Sequence, residues 1–128
     1  ENGAPLVRLY RRLGQLRRAL PSLRSRDFFY YAAESRPGEG LVALRRRAPG
    51  VVGSPDQVAL VVLNFSDAAR SVQLPAPAAG TYREVLDRLY RPAGTERELT
   101  AAEAGNTLTI DVPSNYGQIY VTPPPTRV

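Results

Sequence analysis

The hydrophobic pattern of the chain changes its period at Pro21. Before this proline, apolar residues recur at spacings of three and four, and after it they tend to recur at every second position. The first spacing places side chains on one face of an α-helix, whereas alternation places them on one face of a β-strand. The sequence therefore predicts one amphipathic helix followed by a mainly β domain.

The predicted helix covers about residues 5–19 and carries one apolar stripe. Pro5 suits the first helical turn, and Pro21 cannot continue the helix. At about 100° per residue, a stripe about 120° wide is formed by Leu6, Leu9, Tyr10, Leu13, Leu16 and Leu20. The opposite face is predicted to hold Arg8, Arg11, Arg12 and Arg18. Arg17 falls inside the stripe, so its charged group is expected to need a carboxylate or carbonyl partner.

Seven segments after Pro21 are predicted to be β-strands, separated by turns rich in glycine, proline, serine and aspartate. They are Phe28–Glu34, Leu41–Arg47, Val58–Phe65, Arg70–Leu74, Tyr82–Leu86, Thr107–Val112 and Gly117–Val121. This spacing predicts an antiparallel Greek-key β-sandwich preceded by the single helix. Residues 58–63 are apolar at every position, which predicts a central strand covered on both sides or capped by the helix. Residues 88–106 are predicted to be irregular.

The chain is predicted to form one folded unit with three parts. Its 128 residues suffice for a single domain with a buried core and are too few for two. We assign residues 1–20 to the helix, 21–122 to the sandwich and 123–128, which begin with three prolines, to a flexible tail. Residues 1–4 show neither an initiator methionine nor a leader pattern, and are expected to be a cut within a longer polypeptide.

The composition predicts that these residues hold no catalytic site. Histidine and cysteine are absent, which removes the usual general base near neutral pH, the usual zinc ligands and thiol chemistry. Hydrolysis of a glycosidic bond needs two carboxyl groups, about 5 Å apart in a retaining enzyme. The twelve acidic residues lie mainly in turns and surface segments, and Ser66 before Asp67 is typical of a hydrogen-bonded turn. No catalytic residue, metal ligand or cofactor is predicted.

All seventeen basic residues are arginines, and the net charge is +5. On the helix, the cluster Arg8, Arg11, Arg12, Arg17 and Arg18 could follow a phosphate backbone, so a basic nucleic-acid-binding domain is one alternative. A solvated outer face of a packed helix explains the same residues, and no recognisable nucleic-acid-binding module accompanies them. We therefore expect no nucleic-acid partner and, because no apolar run is long enough to span a bilayer, no membrane partner.

Exposed aromatic residues suggest another alternative, a weak sugar-binding module. Residues 28–31 are predicted to lie in a strand, so two of these four rings should face the core and two the other side. Tyr30, Tyr31, Tyr82 and Tyr90 are the candidates for stacking on sugar rings. Tryptophan is absent, so any such binding is expected to be weak.

Three stretches, in the right order, resemble one enzyme family. The segments Leu9-Tyr10-Arg11-Arg12-Leu13, Leu16-Arg17, Pro21-Ser22-Leu23 and Asp27-Phe28 resemble the last barrel helix of the α-amylase family and its exit, with Arg26 at the usual glycine. The segments LVALRRR (41–47) and VALVVLNFSD (58–67) resemble paired strands of that family, in which an apolar run ends in Asn-Phe-Ser. The stretch from Leu108 to Val121 resembles the closing strands, with Ser114-Asn115 inserted between Pro113 and Tyr116.

The resemblance implies a C-terminal β-sandwich domain of an α-amylase-family glycoside hydrolase or transglycosidase, preceded by the last helix of its catalytic barrel. Such enzymes act on α-linked glucose by a retaining mechanism, and their catalytic acids lie upstream in barrel loops. The implied role is to stabilise the barrel, which is the expected partner within the same polypeptide. The alternatives are a weak glucan-binding module and the basic nucleic-acid-binding domain.

The helix also predicts a homodimer. Without the barrel, the stripe of Leu6, Leu9, Leu13 and Leu16 would face water as a contiguous apolar patch. The linker after Leu20 is short and contains Pro21, which is expected to limit how far the helix can fold back. Two copies are therefore predicted to pair their stripes about a two-fold axis.

Overall fold

The computed structural model of the chain describes residues 4–50, 52–86 and 97–124, with side chains described from residue 11 onward. One helix, α1, spans Ala4–Ala19 and confirms the predicted helix. The strands in these ranges are β1 Phe28–Tyr30, β2 Leu41–Ala48, β3 Gln57–Asn64, β4 Arg70–Pro75, β5 Gly80–Glu84, β6 Glu98–Ala101, β7 Thr107–Val112 and β8 Tyr116–Thr122. Short 3₁₀ turns occupy Pro21–Arg24 and Pro37–Glu39.

The strands form two antiparallel sheets. Six strands make the larger sheet in the order β1-β2-β3-β8-β5-β6, and β4 pairs with β7 in the smaller sheet. Along β3, Val61 lies opposite Leu44 of β2 and Ile119 of β8, which fixes the register of the central strands. The predicted mainly β, antiparallel sandwich with one N-terminal helix is confirmed, and the described ranges hold one strand more than predicted.

One face of the larger sheet packs on the smaller sheet and forms the inner core. Successive side chains of a strand lie on opposite faces, so alternate residues of each strand enter this space. The inner core includes Tyr31, Leu41, Ala43, Val58, Leu60, Val62, Val72, Leu74, Tyr82, Leu108, Ile110, Val112 and Tyr120. In β7 the three apolar residues are buried and the three polar residues are exposed, as its sequence predicts.

The opposite face of the larger sheet is covered in part by α1, and this contact forms the outer core. Leu16 and Leu20 are buried there, with Leu13 partly buried beside them. The sheet residues beneath are Ala59, Val85, Leu86, Ile119 and Val121. The strand β3 therefore contributes buried residues to both cores, which confirms the prediction from its continuous apolar run.

The turn after α1 holds the helix on the sheet. Ser22 donates its backbone N–H and its hydroxyl to Gln57 Oε1 at the start of β3, at 3.0 and 2.8 Å. Arg24 donates Nη1 to the carbonyl oxygens of Arg17 and Arg18, where a cation is favourable because the helix ends there. The chain thus folds back sharply at Pro21.

This packing corrects part of the reasoning behind the predicted homodimer. The helix was expected to be held away from its own sheet, but Leu16 is fully buried against that sheet and Leu13 is partly buried. These two residues are therefore engaged within one chain. The side chains of Leu6 and Leu9 lie outside the described residues, and the homodimer itself stays a prediction.

Two arginines of α1, Arg12 and Arg17, occupy different faces from those predicted, whereas Arg11 and Arg18 are exposed as predicted. Arg12 is only 5% exposed, and its Nε and Nη2 donate to the carbonyl oxygen of Val85 at 3.2 and 2.9 Å. It lies four residues before Leu16 and so shares its face, which the prediction of a solvent-facing Arg12 overlooked. Arg17, predicted to lie inside the stripe, is exposed. A carbonyl partner was expected for Arg17, but it is Arg12 that binds one, the carbonyl oxygen of Val85.

Three strands differ from the predicted pattern. β5 spans Gly80–Glu84 instead of the predicted Tyr82–Leu86, because its pairing with β6 begins at Gly80. β1 ends at Tyr30 instead of Glu34, because the backbone turns at once and Ser35 N–H donates to the Tyr31 carbonyl at 2.9 Å. β6 lies within residues 88–106, which were predicted to be irregular. Residues 88–96 of that segment lie outside the described residues.

The predicted division into helix, sandwich and tail stays a prediction. β8 ends at Thr122, where the sandwich was predicted to end. Pro123 and Pro124 follow it outside any strand, and residues 125–128 of the predicted tail lie outside the described ranges.

Candidate functional site

The four tyrosines predicted to stack on sugars do not share a surface. Tyr82 is fully buried and Tyr31 is 4% exposed, so neither ring offers a face to a sugar, which corrects the prediction for these two residues. Both rings belong to the inner core between the sheets. Tyr30 is 39% exposed at the edge of the larger sheet. Tyr90 lies outside the described residues.

The hydroxyls of the two buried tyrosines contact the end of β4 and the loop after it. Tyr82 donates its hydroxyl to the Ala78 carbonyl at 2.7 Å and accepts from the Ala78 N–H at 3.1 Å. Tyr31 donates to the Pro75 carbonyl at 3.5 Å. Burial raises the pKa of Tyr31 to about 12 and also raises the pKa of Tyr82. These hydroxyls stay protonated near neutral pH and hold the loop instead of facing a ligand.

The edge strand β1 presents aromatic side chains to solvent on both of its faces. Its register with β2 places Phe28 and Tyr30 on the outer side of the sheet, where α1 packs, and Phe29 on the inner side. All three are exposed. The predicted split of two core rings and two surface rings is therefore replaced by one core ring, Tyr31, and three surface rings.

Phe29 lies in a small cluster at the rim of the inner core. The guanidinium carbon of Arg45 is 5.4 Å from its ring centroid, and the ring of Tyr31 meets it edge-on at a centroid distance of 5.3 Å. Arg45 Nη2 also lies 3.8 Å from Asp27 Oδ1. The cation and the carboxylate are thus engaged with groups of the same chain, and the cluster presents mainly the ring of Phe29.

The outer side of β1, β2 and β3 is apolar where α1 leaves it uncovered. One cross-strand row runs from Tyr30 to Leu44 to Val61, and the next pairs Val42 with Leu63. These side chains are partly exposed and none of them is charged. We call the surface made by Tyr30, Val42, Leu44, Leu63 and Phe65 the open face.

A groove of about 290 Å³ continues the open face towards α1. Leu13 of α1 forms one wall, Val61 and Leu63 of β3 form the floor, and Phe65, which is 67% exposed, forms the rim. Leu13 and Val61 also pack against the outer core. The groove and the contact of α1 with the sheet are therefore one continuous apolar surface.

The sequence Asn64-Phe65-Ser66 builds the turn that carries Phe65. Asn64 is buried, and its Nδ2 lies 2.9, 3.1 and 3.1 Å from the carbonyl oxygens of Ala68, Val112 and Pro113, which share its two hydrogens. Its Oδ1 accepts from the N–H and the hydroxyl of Ser66 at 2.9 and 2.7 Å. One side-chain amide thus joins the end of β3 to the end of β7 and fixes the turn from which Phe65 projects.

Three described glutamates bind groups of the fold itself: two form ion pairs with arginines, and one accepts backbone hydrogen bonds. Ion pairs join Glu39 to Arg36 and Arg70, and Glu98 to Arg83. Glu84 is buried, and its Oε2 accepts from the N–H groups of Leu86 and Ile119 at 3.0 and 2.9 Å. In the part of the chain that the structure describes, no three residues of the metal-binding types come together. The absence of catalytic residues and cofactors stays a prediction.

Sequence reasoning missed the open face and Phe65. A signal was present, because Val42, Leu44 and Leu63 are apolar residues between the buried positions of their strands. A strand that is apolar on both sides needs cover on both sides. One helix is about 10–12 Å wide and strands are about 4.8 Å apart, so α1 alone covers only two or three strands.

Comparison with known proteins identifies a family and a solved structure that share this fold. A family model described as "Alpha amylase, C-terminal all-beta domain" matches residues 34–122. The match runs from before β2 to the end of β8 and includes the Asn64 turn. No curated protein matches the chain.

Among solved structures, the chain is similar to the crystal structure of an Anoxybacillus alpha-amylase, with a TM-score of 0.68 and 20% sequence identity. The similarity covers 97% of this chain and 24% of the enzyme chain, so this chain spans about a quarter of that enzyme. Only 3% of this chain is unmatched, which is much less than the 16 residues of α1. The matched region therefore includes most of α1. In the described ranges, no helix is long and apolar enough to cross a membrane.

Proposed function

The chain belongs to the family of alpha amylase C-terminal all-beta domains, and we propose that it is the non-catalytic C-terminal domain of an α-glucan-active glycoside hydrolase or transglycosidase. Its role is to stabilise the catalytic barrel of the same polypeptide by binding the last helix of that barrel, α1, on its larger sheet. Cleavage or transfer of the glucan belongs to the barrel.

The outer core supports this proposal most directly. Burial of Leu16 and Leu20 contributes about 3–6 kcal/mol together as an upper bound. The hydrogen bonds from Arg12 to the Val85 carbonyl add about 1.5–3 kcal/mol, because the donor is charged. A helix held this firmly ties whatever lies before it in the polypeptide to the sandwich.

The benefit to a barrel follows from where its helices pack. Helices form the outer ring of a (β/α)-barrel and cover the apolar outer surface of its strands. A last helix that frays exposes this surface to water, which lowers the stability of the whole barrel. The sandwich prevents fraying by covering the other side of α1, and it supplies no group to the reaction.

The proposal can be tested in the enzyme that carries this domain. Leu16→Ala should lower the free energy of unfolding by about 2–5 kcal/mol, shorten the half-life of activity on heating and leave kcat unchanged at room temperature. Gln15→Ala, at an exposed position of the same helix, is the matched control and should leave the half-life unchanged. A Leu16→Ala enzyme whose sandwich unfolds early while its activity persists as in wild type would refute the stabilising role.

The 128-residue chain alone should have no glycosidase activity. Incubation with soluble starch and with an aryl α-glucoside should release no more sugar than buffer does. Turnover of about 1 per second or faster, a rate typical of enzymes, would contradict a non-catalytic domain.

Weak glucan binding is the second candidate function, and the exposure of Phe28, Phe29 and Tyr30 on β1 favours it. These rings lie on an open edge without an enclosing pocket, so we expect a Kd for maltoheptaose of about 1 mM or weaker. Calorimetry with the wild-type chain and with Tyr30→Ala measures this affinity. Micromolar binding that Tyr30→Ala abolishes would place glucan binding ahead of the stabilising role.

A further inference from the structure

We propose that the open face binds a second helix of the catalytic barrel, which lies beside α1 and inserts an apolar side chain into the groove next to Phe65. The inference rests on the proposed function and adds a second contact to it. Width, chemistry and continuity of this surface each support a helix as its occupant.

The width of the open face matches one helix. Neighbouring strands are about 4.8 Å apart, so β1 to β3 span about 10 Å. Packed helices lie about 8–10 Å apart, which puts a neighbour of α1 over β2 when α1 lies over β3, β8 and β5. In a (β/α)-barrel the helices form a closed ring, so a barrel's last helix has helical neighbours on both sides.

The chemistry of the open face favours an apolar protein surface over a sugar. Four of its five residues carry no polar side-chain atom, and three of these are aliphatic. The nearby cation Arg46 is directed elsewhere, since its Nη1 donates to the carbonyl oxygens of Leu23 and Ser25 at 3.3 and 3.1 Å. A sugar needs several placed hydrogen-bonding groups in addition to an aromatic ring.

Phe65 has the features of an anchor for this helix. Its ring is the most exposed aromatic ring described, yet the Asn64 hydrogen bonds fix the turn that carries it. Anchors of protein interfaces are often aromatic and lie beside a pocket that receives a side chain of the partner. The groove between Leu13 and Phe65 is such a pocket, and it is continuous with the contact already made by α1.

The decisive variant is Val42→Thr combined with Phe65→Ser in the enzyme that carries this domain. We expect a half-life at elevated temperature about tenfold shorter than in wild type, with kcat/KM unchanged, because the buried contact is lost. The same double variant of the 128-residue chain should keep its urea midpoint, since both side chains are partly or largely exposed there. Phe65→Leu keeps an apolar contact and should restore most of the half-life. Val52→Ser, an exposed apolar position in the loop between β2 and β3, is the control.

A measurement without mutation gives an independent answer. Hydroxyl-radical labelling should modify Phe65 and Tyr30 in the 128-residue chain and spare both in the enzyme. Equal labelling in the two forms would overturn the inference even if the double variant folded poorly.

Leu16→Ala separates failure of the inference from failure of the proposed function. If Leu16→Ala shortens the half-life and the double variant does not, the open face binds no barrel helix while the proposed function stands. If neither does, the proposed function fails as well. Two further results, each with an unchanged half-life of the enzyme, would overturn the inference. If the double variant turns a dimeric chain into a monomer, the occupant is a second copy of the chain. If it abolishes maltoheptaose binding, the occupant is a glucan.

Discussion

Three buried polar side chains join elements that apolar packing alone would leave free to slide. Arg12 links α1 to the end of β5, Asn64 links β3 to β7, and Glu84 links β5 to β8. All three bond to backbone groups, whose positions are set by the strands themselves. A buried polar group without a hydrogen bond carries a desolvation cost. These three residues therefore favour the one packing of helix and sheets in which all of them are hydrogen-bonded.

The buried role of Arg12 can be tested against its exposed neighbour on α1. Arg12→Met keeps an unbranched stem but removes both donors to the Val85 carbonyl, so we expect a loss of about 1–3 kcal/mol in the free energy of unfolding. Arg17→Met should change it by less than about 0.5 kcal/mol, because Arg17 is exposed. Urea unfolding followed by circular dichroism measures both. Equal effects of the two variants would contradict a specific contribution of Arg12.

The buried hydroxyl of Tyr31 should make the chain less stable at alkaline pH. Burial raises its folded-state pKa to about 12, above the ordinary value of 10.0 expected in the unfolded chain. The unfolded chain loses this proton first, so the stability contributed by the group is present below pH 10 and is lost as the pH rises towards 12. Tyr31→Phe gives up only a long hydrogen bond and should stay within about 1 kcal/mol of wild type at neutral pH. Its urea midpoint should fall less than that of wild type between about pH 10 and 11, and identical falls would exclude Tyr31 as the cause.

Both edges of the smaller sheet carry an arginine at the same level. Arg36 Nη2 donates to the Ser71 carbonyl of β4 at 2.7 Å, and Arg97 Nη1 donates to the Asp111 carbonyl of β7 at 3.3 Å. Ser71 and Asp111 are direct partners in the ladder between these strands. A charged side chain on an edge carbonyl competes with another strand for that group, so both arginines protect a two-stranded sheet from edge-to-edge pairing.

Removal of Arg36 should therefore promote association without unfolding the chain. Arg36→Ala is expected to shorten the lag before aggregation severalfold on gentle heating, because it frees the edge of β4. Arg26→Ala removes the same charge from an exposed loop position and is the matched control. Light scattering with thioflavin fluorescence follows the reaction. A lag shortened equally by both variants would point to net charge instead of edge protection.

Strands with strong local patterns could be predicted from the sequence, and those defined by distant contacts could not. β2, β3, β4, β7 and β8 begin and end within one residue of their predicted bounds. β6 has only four residues. Its position is set by its pairing with β5, in which Leu99 lies opposite Tyr82, a residue distant in the sequence. The burial of Tyr82, which was predicted to stack on sugars, has the same cause. β5 lies between β8 and β6, and local periodicity does not encode this strand order. The open face was missed because the sequence does not show which strands α1 covers and which it leaves exposed.

The molecule is a three-layer structure in which the larger sheet is shared by two cores. The smaller sheet covers its inner face, and α1 covers part of its outer face. The inner core contains most of the described buried apolar residues, so the sandwich has a core of its own without the helix. The outer core depends on α1, and it is the part that connects this domain to a barrel under the proposed function.

A chain shortened to residues 21–128 tests how far the two cores are independent. Its inner core is intact, so circular dichroism should still report β-structure, while the loss of Leu16 and Leu20 should cost up to about 3–6 kcal/mol. Ala59, Val85, Ile119 and Val121 would then join the open face as one exposed apolar surface. A patch of that size is larger than most monomers leave in water, so the shortened chain should bind more hydrophobic dye and self-associate.

Light scattering of the shortened and full chains, with Leu16→Ala in the full chain as an intermediate case, measures this effect. The expected order of association is shortened chain, then Leu16→Ala, then wild type, because the area left uncovered decreases in that order. A shortened chain that stays monomeric with the urea midpoint of the full chain would mean that α1 is only loosely attached. In that case the sandwich could not stabilise a barrel through this helix, and the link would have to run through the open face alone.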